Sequence, residues 1–83
     1  MERIAHNPRQ LAQILRGERK SQSLNQEAVG ARVKLLTKTV SKLENQPEKS
    51  TVESLFKLLS ALDLELVVRS KRDSAEHVPE LEW

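Results

Sequence analysis

The stretch Asn25-Gln26-Glu27-Ala28-Val29-Gly30-Ala31-Arg32-Val33-Lys34-Leu35-Leu36-Thr37-Lys38-Thr39-Val40-Ser41-Lys42-Leu43-Glu44-Asn45 decides how this chain folds. Asn25 suits the cap of a helix, where its side chain accepts from a first-turn amide, and Glu27 places a carboxylate at the positive end of the same helix. Val29 and Val33 lie one helical turn apart and give that helix a buried stripe. Lys34-Leu35-Leu36 then makes a short turn. In the next run Val40 and Leu43 point inward, while Thr37, Lys38, Ser41 and Lys42 stay outward, so a second short helix spans Thr37 to Asn45.

Working outward, Asn7-Pro8 reads as a cap followed by proline at the first helical position, and Leu11, Ile14 and Leu15 continue the period to about Lys20. Ser21-Gln22-Ser23 breaks that helix. On the other side, Asn45-Gln46-Pro47-Glu48-Lys49 is a loop, because proline lacks an amide donor and restricts its predecessor. Ser50 or Thr51 caps a fourth helix, whose Val52, Leu55, Phe56, Leu58, Leu59 and Leu62 form the richest apolar surface and its central core element. Beyond Asp63 the period shortens to two, with Leu64, Leu66 and Val68 alternating with Glu65, Val67 and Arg69, which predicts a strand. The alternative is a fourth helix that continues to Val68. A lone strand leaves its backbone groups without partners, so a second copy of the chain is expected to pair with it across a two-fold axis. The expected organisation is a helical unit over 1–62, a dimerisation strand over 63–69 carrying Leu64, Leu66 and Val68, and a mobile acidic tail over 70–83.

Charge is distributed unevenly. Of the 83 residues, those up to Asn45 include nine Lys or Arg against four acids, a balance of +5, and the remainder holds five bases against eight acids, so the net +2 conceals a basic half and an acidic one. A basic half attracts phosphates and an acidic tail is repelled by them. With no cysteine, no long apolar run and no basic-then-apolar leader, nothing points to disulfides, a membrane or export, and a cytoplasmic setting is expected. Catalysis has little to work with. The two histidines, His6 and His77, stand near opposite ends, and there is no metal-ligand spacing, glycine-rich phosphate loop or nucleophile motif, so neither an enzyme nor a cofactor is expected.

Two short helices joined by a tight turn, the second with polar and cationic side chains outward, fit the major groove of B-DNA. Thr37 and Ser41 can donate or accept, Lys38 can reach guanine acceptors or phosphate, and the Leu36 side chain or Thr37 methyl can touch a thymine methyl. Gln26 opens the preceding helix, where an amide can bond a phosphate. Lys42, Arg32 and Arg9 are expected to add affinity without regard to sequence. The bland reading is a solvated face of a helical bundle.

The pattern Asn25-Gln26-Glu27, small Gly30, apolar Val33 and Thr39-Val40-Ser41-Lys42-Leu43-Glu44-Asn45, followed by an apolar fourth helix, resembles the Xre-type helix-turn-helix family of phage repressors and their bacterial relatives, from Leu11 to Leu62. The resemblance implies an all-α domain of four to five helices that binds double-stranded operator DNA. It also implies that Gln26 and Asn45 hold phosphates while Thr37, Lys38 and Ser41 face bases. Gly30 is read as a close-packing position and Glu44 as a structural acceptor within the domain. Lys34 departs from the family, which commonly has glycine there in a left-handed turn; keeping that conformation with lysine costs roughly 1 kcal/mol.

The loop Glu44-Asn45-Gln46-Pro47-Glu48, the segments Ser54–Leu59 and Ser60–Leu66, and the ending Leu81-Glu82-Trp83 are similar to HipB-type antitoxins. That likeness implies a homodimeric repressor that neutralises a HipA-type serine/threonine kinase toxin, the short strand building the dimer. Trp83 is the only tryptophan and ends a tail poor in apolar residues, so with Leu81 it is a candidate anchor for a partner pocket. Rival readings are an antitoxin with little DNA binding and a stand-alone phage-type repressor without a toxin.

Overall fold

A computed structural model describes residues 2–71. Leu81, Trp83 and nearly all of the expected tail lie outside the described residues. Four α-helices follow one another: α1 (Pro8–Ser21), α2 (Gln26–Val33), α3 (Thr37–Asn45) and α4 (Val52–Ala61), with a 3-10 turn at Pro47–Lys49 between the last two. The domain is all-α, and among the described residues there is no strand.

Each long-range feature begins with a local one. Asn7, Asn25 and Thr51 cap α1, α2 and α4, their side-chain oxygens accepting from the amides of Gln10, Ala28 and Ser54. Such caps satisfy donors that the helix itself cannot. The apolar stripes then meet in one core: Leu15 from α1, Val29 from α2, Val40 and Leu43 from α3, and Leu58, Leu59, Ala61 and Leu62 from α4 and its end. Large side chains buried this fully contribute about 1.5–3 kcal/mol each.

Gly30 is a point of close approach between α2 and the turn that leads into α3. A methyl group there would stand 2.6 Å from the Leu35 carbonyl oxygen and 3.3 Å from Val40 Cγ2, so only hydrogen lets the turn fold back onto α2. Lys34 makes that turn in the left-handed conformation, φ 62° and ψ 38°, and the amide of Leu35 donates back to Gly30 at 2.9 Å. The turn therefore keeps the geometry glycine would supply, with a lysine in place.

Two expectations are corrected. Val52 and Phe56 do not join the core: they are 67% and 49% exposed, so α4 buries Leu58, Leu59 and Ala61, with Leu62 just after it, and leaves Leu55 half-buried. The strand expected over 63–69 is not formed, and neither is the alternative of an α4 that continues to Val68, because Asp63 at φ 61° turns the backbone out of the helix. From there residues 64–70 belong to no regular element. Leu64 packs against the core, while Leu66, Val67 and Val68 are exposed.

Lys34→Gly removes the Cβ strain of roughly 1–2 kcal/mol and returns part of it as chain entropy in the unfolded state. Urea unfolding is expected to shift to a higher midpoint at unchanged slope, a gain of about 0.5–1 kcal/mol. An unmoved midpoint would show that the strain at Lys34 is no larger than the entropy glycine adds to the unfolded chain.

Candidate nucleic-acid interface

The outward face of α3 begins at Leu36, 64% exposed, and continues through exposed Thr37, Lys38, Lys42 and Asn45 and half-buried Ser41. Residues 37, 38, 41, 42 and 45 share one side of a helix by their spacing. The structure therefore brings the expected base-facing residues Leu36, Thr37, Lys38 and Ser41 onto one surface with Lys42 and Asn45. Unlike α2, α3 has neither a side-chain cap nor an acid in its first turn. The positive end of this helix therefore carries no neutralising side chain, a polarity suited to an anion. Lys34, Lys38 and Lys42 recur every four residues and form no ion pair among the described residues.

Asn45 folds its amide back along its own helix, donating to the carbonyl and hydroxyl oxygens of Ser41 at 2.9 and 3.1 Å. This fixes both side chains on the exposed face. Gln26 is half-buried, and its Nε2 donates to Glu44 Oε1 at 3.1 Å. Arg32 is exposed, and its Nη1 donates to the Ala61 carbonyl at 3.0 Å, at the end of α4. The expected phosphate contacts are thus placed unequally: Lys42 and Asn45 stand beside the base-facing residues, whereas Gln26 and Arg32 have partners within the domain.

Behind α3 lies the group that sequence reasoning missed. Arg19 Nε donates to Glu44 Oε2 at 2.6 Å and Nη2 to Oε1 at 3.0 Å, a two-pronged pair with both side chains buried. Arg19 Nη1 also donates to the Leu24 carbonyl at 2.8 Å. The hydrogen bond to Glu44 chiefly, opposed by burial and aided by the carboxylate charge, holds the Arg19 guanidinium above its ordinary pKa, so it stays charged. Glu44 is therefore structural, as expected, but Arg19 is withdrawn from the basic surface. The signal was available: Arg19 lies one turn beyond Leu15 on the buried stripe of α1.

No family model matches the chain. It is similar to the antitoxin HipB of Escherichia coli K12, 26% identical over 81 residues that cover 94% of this chain and 92% of the relative. The HipB of Escherichia coli O6:H1 (strain CFT073) is 25% identical over 81 residues, covering 94% of this chain and 86% of that one. Solved structures agree. A HipB–O1–O2 complex superposes with a TM-score of 0.80 at 25% identity, over 83% of this chain and 100% of the other. A HipA–HipB–O2–O3 complex gives 0.81 at 24%, over 84% and 99%. The chain has a HipB-like helix-turn-helix fold. The likeness spans almost all of both chains, and so includes the segment after α4 as well as the helices.

Because Arg19 and Glu44 are buried together, removing one partner strands the other. Glu44→Ala is expected to destabilise the domain by about 3–5 kcal/mol, as is Arg19→Ala, whereas the double variant loses much less than the sum. Additive losses in urea unfolding would show that the two groups are not coupled.

Proposed function

We propose that this chain is a homodimeric DNA-binding antitoxin that represses transcription and neutralises a HipA-type serine/threonine kinase. The observation that carries the reading is the coincidence of a whole-length likeness to HipB with a cationic, acid-free outward face on α3. Solved relatives include HipB with HipA and O2–O3, and HipB with an O4 20-mer.

Binding begins with attraction of phosphates to the basic half and ends with α3 of each protomer in successive major grooves about 34 Å apart. Leu36, Thr37, Lys38 and Ser41 read base edges, and Lys42 and Asn45 hold phosphates. Gln26, tied to Glu44 through its nitrogen, offers its amide oxygen only as an acceptor, so a phosphate contact at this end comes from backbone amides or from rotation of the side chain. Exposed Phe56, Leu66, Val67 and Val68 supply an apolar surface beside the segment of residues 63–69, and pairing of that segment with a second copy, through Leu64, Leu66 and Val68, covers it. The function requires no catalytic group and no cofactor, and no helix among the described residues is long and apolar enough to cross a membrane. Leu81 and Trp83 anchor the kinase partner.

Fluorescence anisotropy with DNA from upstream of the coding region, against scrambled competitor over a salt series, tests the reading. Discrimination of at least about a hundredfold with two chains per site is expected. Lys42→Ala is expected to weaken every site about three- to tenfold and reduce the salt slope by about one, while Lys38→Ala changes which bases are preferred. Equal, weak binding to both DNAs would remove the repressor role. For the second partner, deleting residues 81–83 is expected to weaken capture of a HipA-type kinase by at least about 2 kcal/mol without altering DNA binding. Unchanged capture would refute the anchor.

A further inference from the structure

The carbonyl end of α4 is the point where the helix-turn-helix unit passes into the segment of residues 64–70. Helices end with carbonyl groups that lack partners of their own, and here every one is accounted for. Leu58 accepts from the amide of Leu62 at 3.1 Å, Leu59 from Leu64 at 2.8 Å and Ser60 from Asp63 at 3.1 Å. The last two are the paired bonds of a helix closed by a left-handed residue, in this case Asp63 at φ 61°. That leaves the carbonyls of Ala61 and Leu62, and side chains take both. Arg32 Nη1 donates to Ala61 at 3.0 Å and Gln22 Nε2 donates to Leu62 at 2.9 Å.

The two donors come from different helices. Gln22 closes α1 and Arg32 stands in the last turn of α2. They converge on adjacent carbonyls immediately before the backbone changes direction, so α4 cannot roll or tilt against α1 and α2 without losing one bond or the other. A simple cap would need only one donor, and would not need it from two separate elements.

We propose that Gln22 and Arg32 are positioning residues that fix the direction in which the dimerisation segment leaves the helix-turn-helix unit, and thereby the separation of the two α3 helices and the half-site spacing the dimer accepts. The inference rests on the homodimeric DNA-binding reading above. Its leverage is geometric. A tilt of about 15° on an arm of about 13 Å, the radius of a small domain, displaces α3 by about 3.4 Å, one base-pair step along the helix axis. The side chains touch no DNA in this role; they decide where the reading surface is held.

The chain has no cysteine, so a single Glu48→Cys substitution on the exposed turn after α3 gives one nitroxide position per protomer. Electron–electron distance measurements on the DNA-free dimer are expected to give a narrow inter-protomer distribution, at least twice as broad in the Gln22→Glu/Arg32→Gln double variant. Arg32→Lys, which keeps a cationic donor, is expected to restore much of the narrow distribution. Without the label, inserting one base pair between half-sites is expected to cost the parent protein at least tenfold in affinity and the double variant less than threefold. Gln22→Ala alone, with one clamp left, serves if the double variant unfolds, and is expected to broaden the distribution part-way. Unchanged widths and spacing profiles in folded variants overturn the proposal and leave the DNA-binding reading intact. Absence of any inter-protomer distance in the parent overturns the dimer and the clamp together. A parent dimer that fails to discriminate DNA removes the DNA-binding reading and, with it, the half-site role, whatever the distance widths show.

Discussion

Everything the α3 surface offers depends on the buried pair behind it. Arg19 of α1 and Glu44 of α3 meet in two nearly parallel hydrogen bonds, and Gln26 of α2 adds a third to the same carboxylate, so one charged group gathers three helices. Removing two charges from water is costly, and a pair of this kind adds little or nothing to net stability compared with well-packed apolar residues. Its effect is directional. Leucine contacts tolerate sliding and repacking, whereas a two-pronged guanidinium–carboxylate contact holds over a narrow range of angles. Because Glu44 lies on the inner side of α3, setting its position sets the rotation of that helix and hence which side chains face outward.

The turn between α2 and α3 works within that constraint. Gly30 lets the Leu35 carbonyl approach a distance that no Cβ would allow, and Lys34 adopts the left-handed conformation that brings Leu35 there. The two requirements are met by different residues. Neither of the two glycines has a positive φ; the left-handed positions are Ser23, Lys34 and Asp63, which follow α1, α2 and α4. Lysine at the middle position accepts local strain and leaves an exposed cation in the turn that precedes α3.

What could be read from the sequence was what short-range physics controls. Asn7, Asn25 and Thr51 act within three residues, Pro47 within its own turn, and the helical period of Val40 and Leu43 within one element, so the limits of the four helices and the outward face of α3 were legible, whereas the period of two after Asp63 promised a strand that the single chain does not form. Arg19 and Glu44 are 25 residues apart and Gln22 and Leu62 are 40 apart. No periodicity relates such positions, and a polar side chain near a helix end reads equally well as solvated. Val52 and Phe56 failed for a different reason. Apolar periodicity shows that a face seeks burial but not against which chain, and in a single protomer those residues remain exposed. Arg32 was assigned to phosphate on charge alone, and no local pattern shows that its Nη1 also holds the Ala61 carbonyl, 29 residues away.

The cations divide by chemistry as well as by place. Arg19 and Arg32 hold fixed internal acceptors, where the rigid fork of guanidinium keeps several donors in a set geometry. Lys34, Lys38 and Lys42 line the outward side, where a compact charge on a flexible stem can follow phosphates whose positions vary with DNA sequence and bending. Exchanging the two types would harm both tasks: lysine at position 19 could not make paired bonds to Glu44, and arginines along α3 would add planar hydrogen-bonding forks where adaptable charge is useful. Arg19 is neutralised by its own buried acceptor and adds little to the external field, so attraction to DNA rests on the cations that stay exposed, Lys38 and Lys42 beside the reading helix among them.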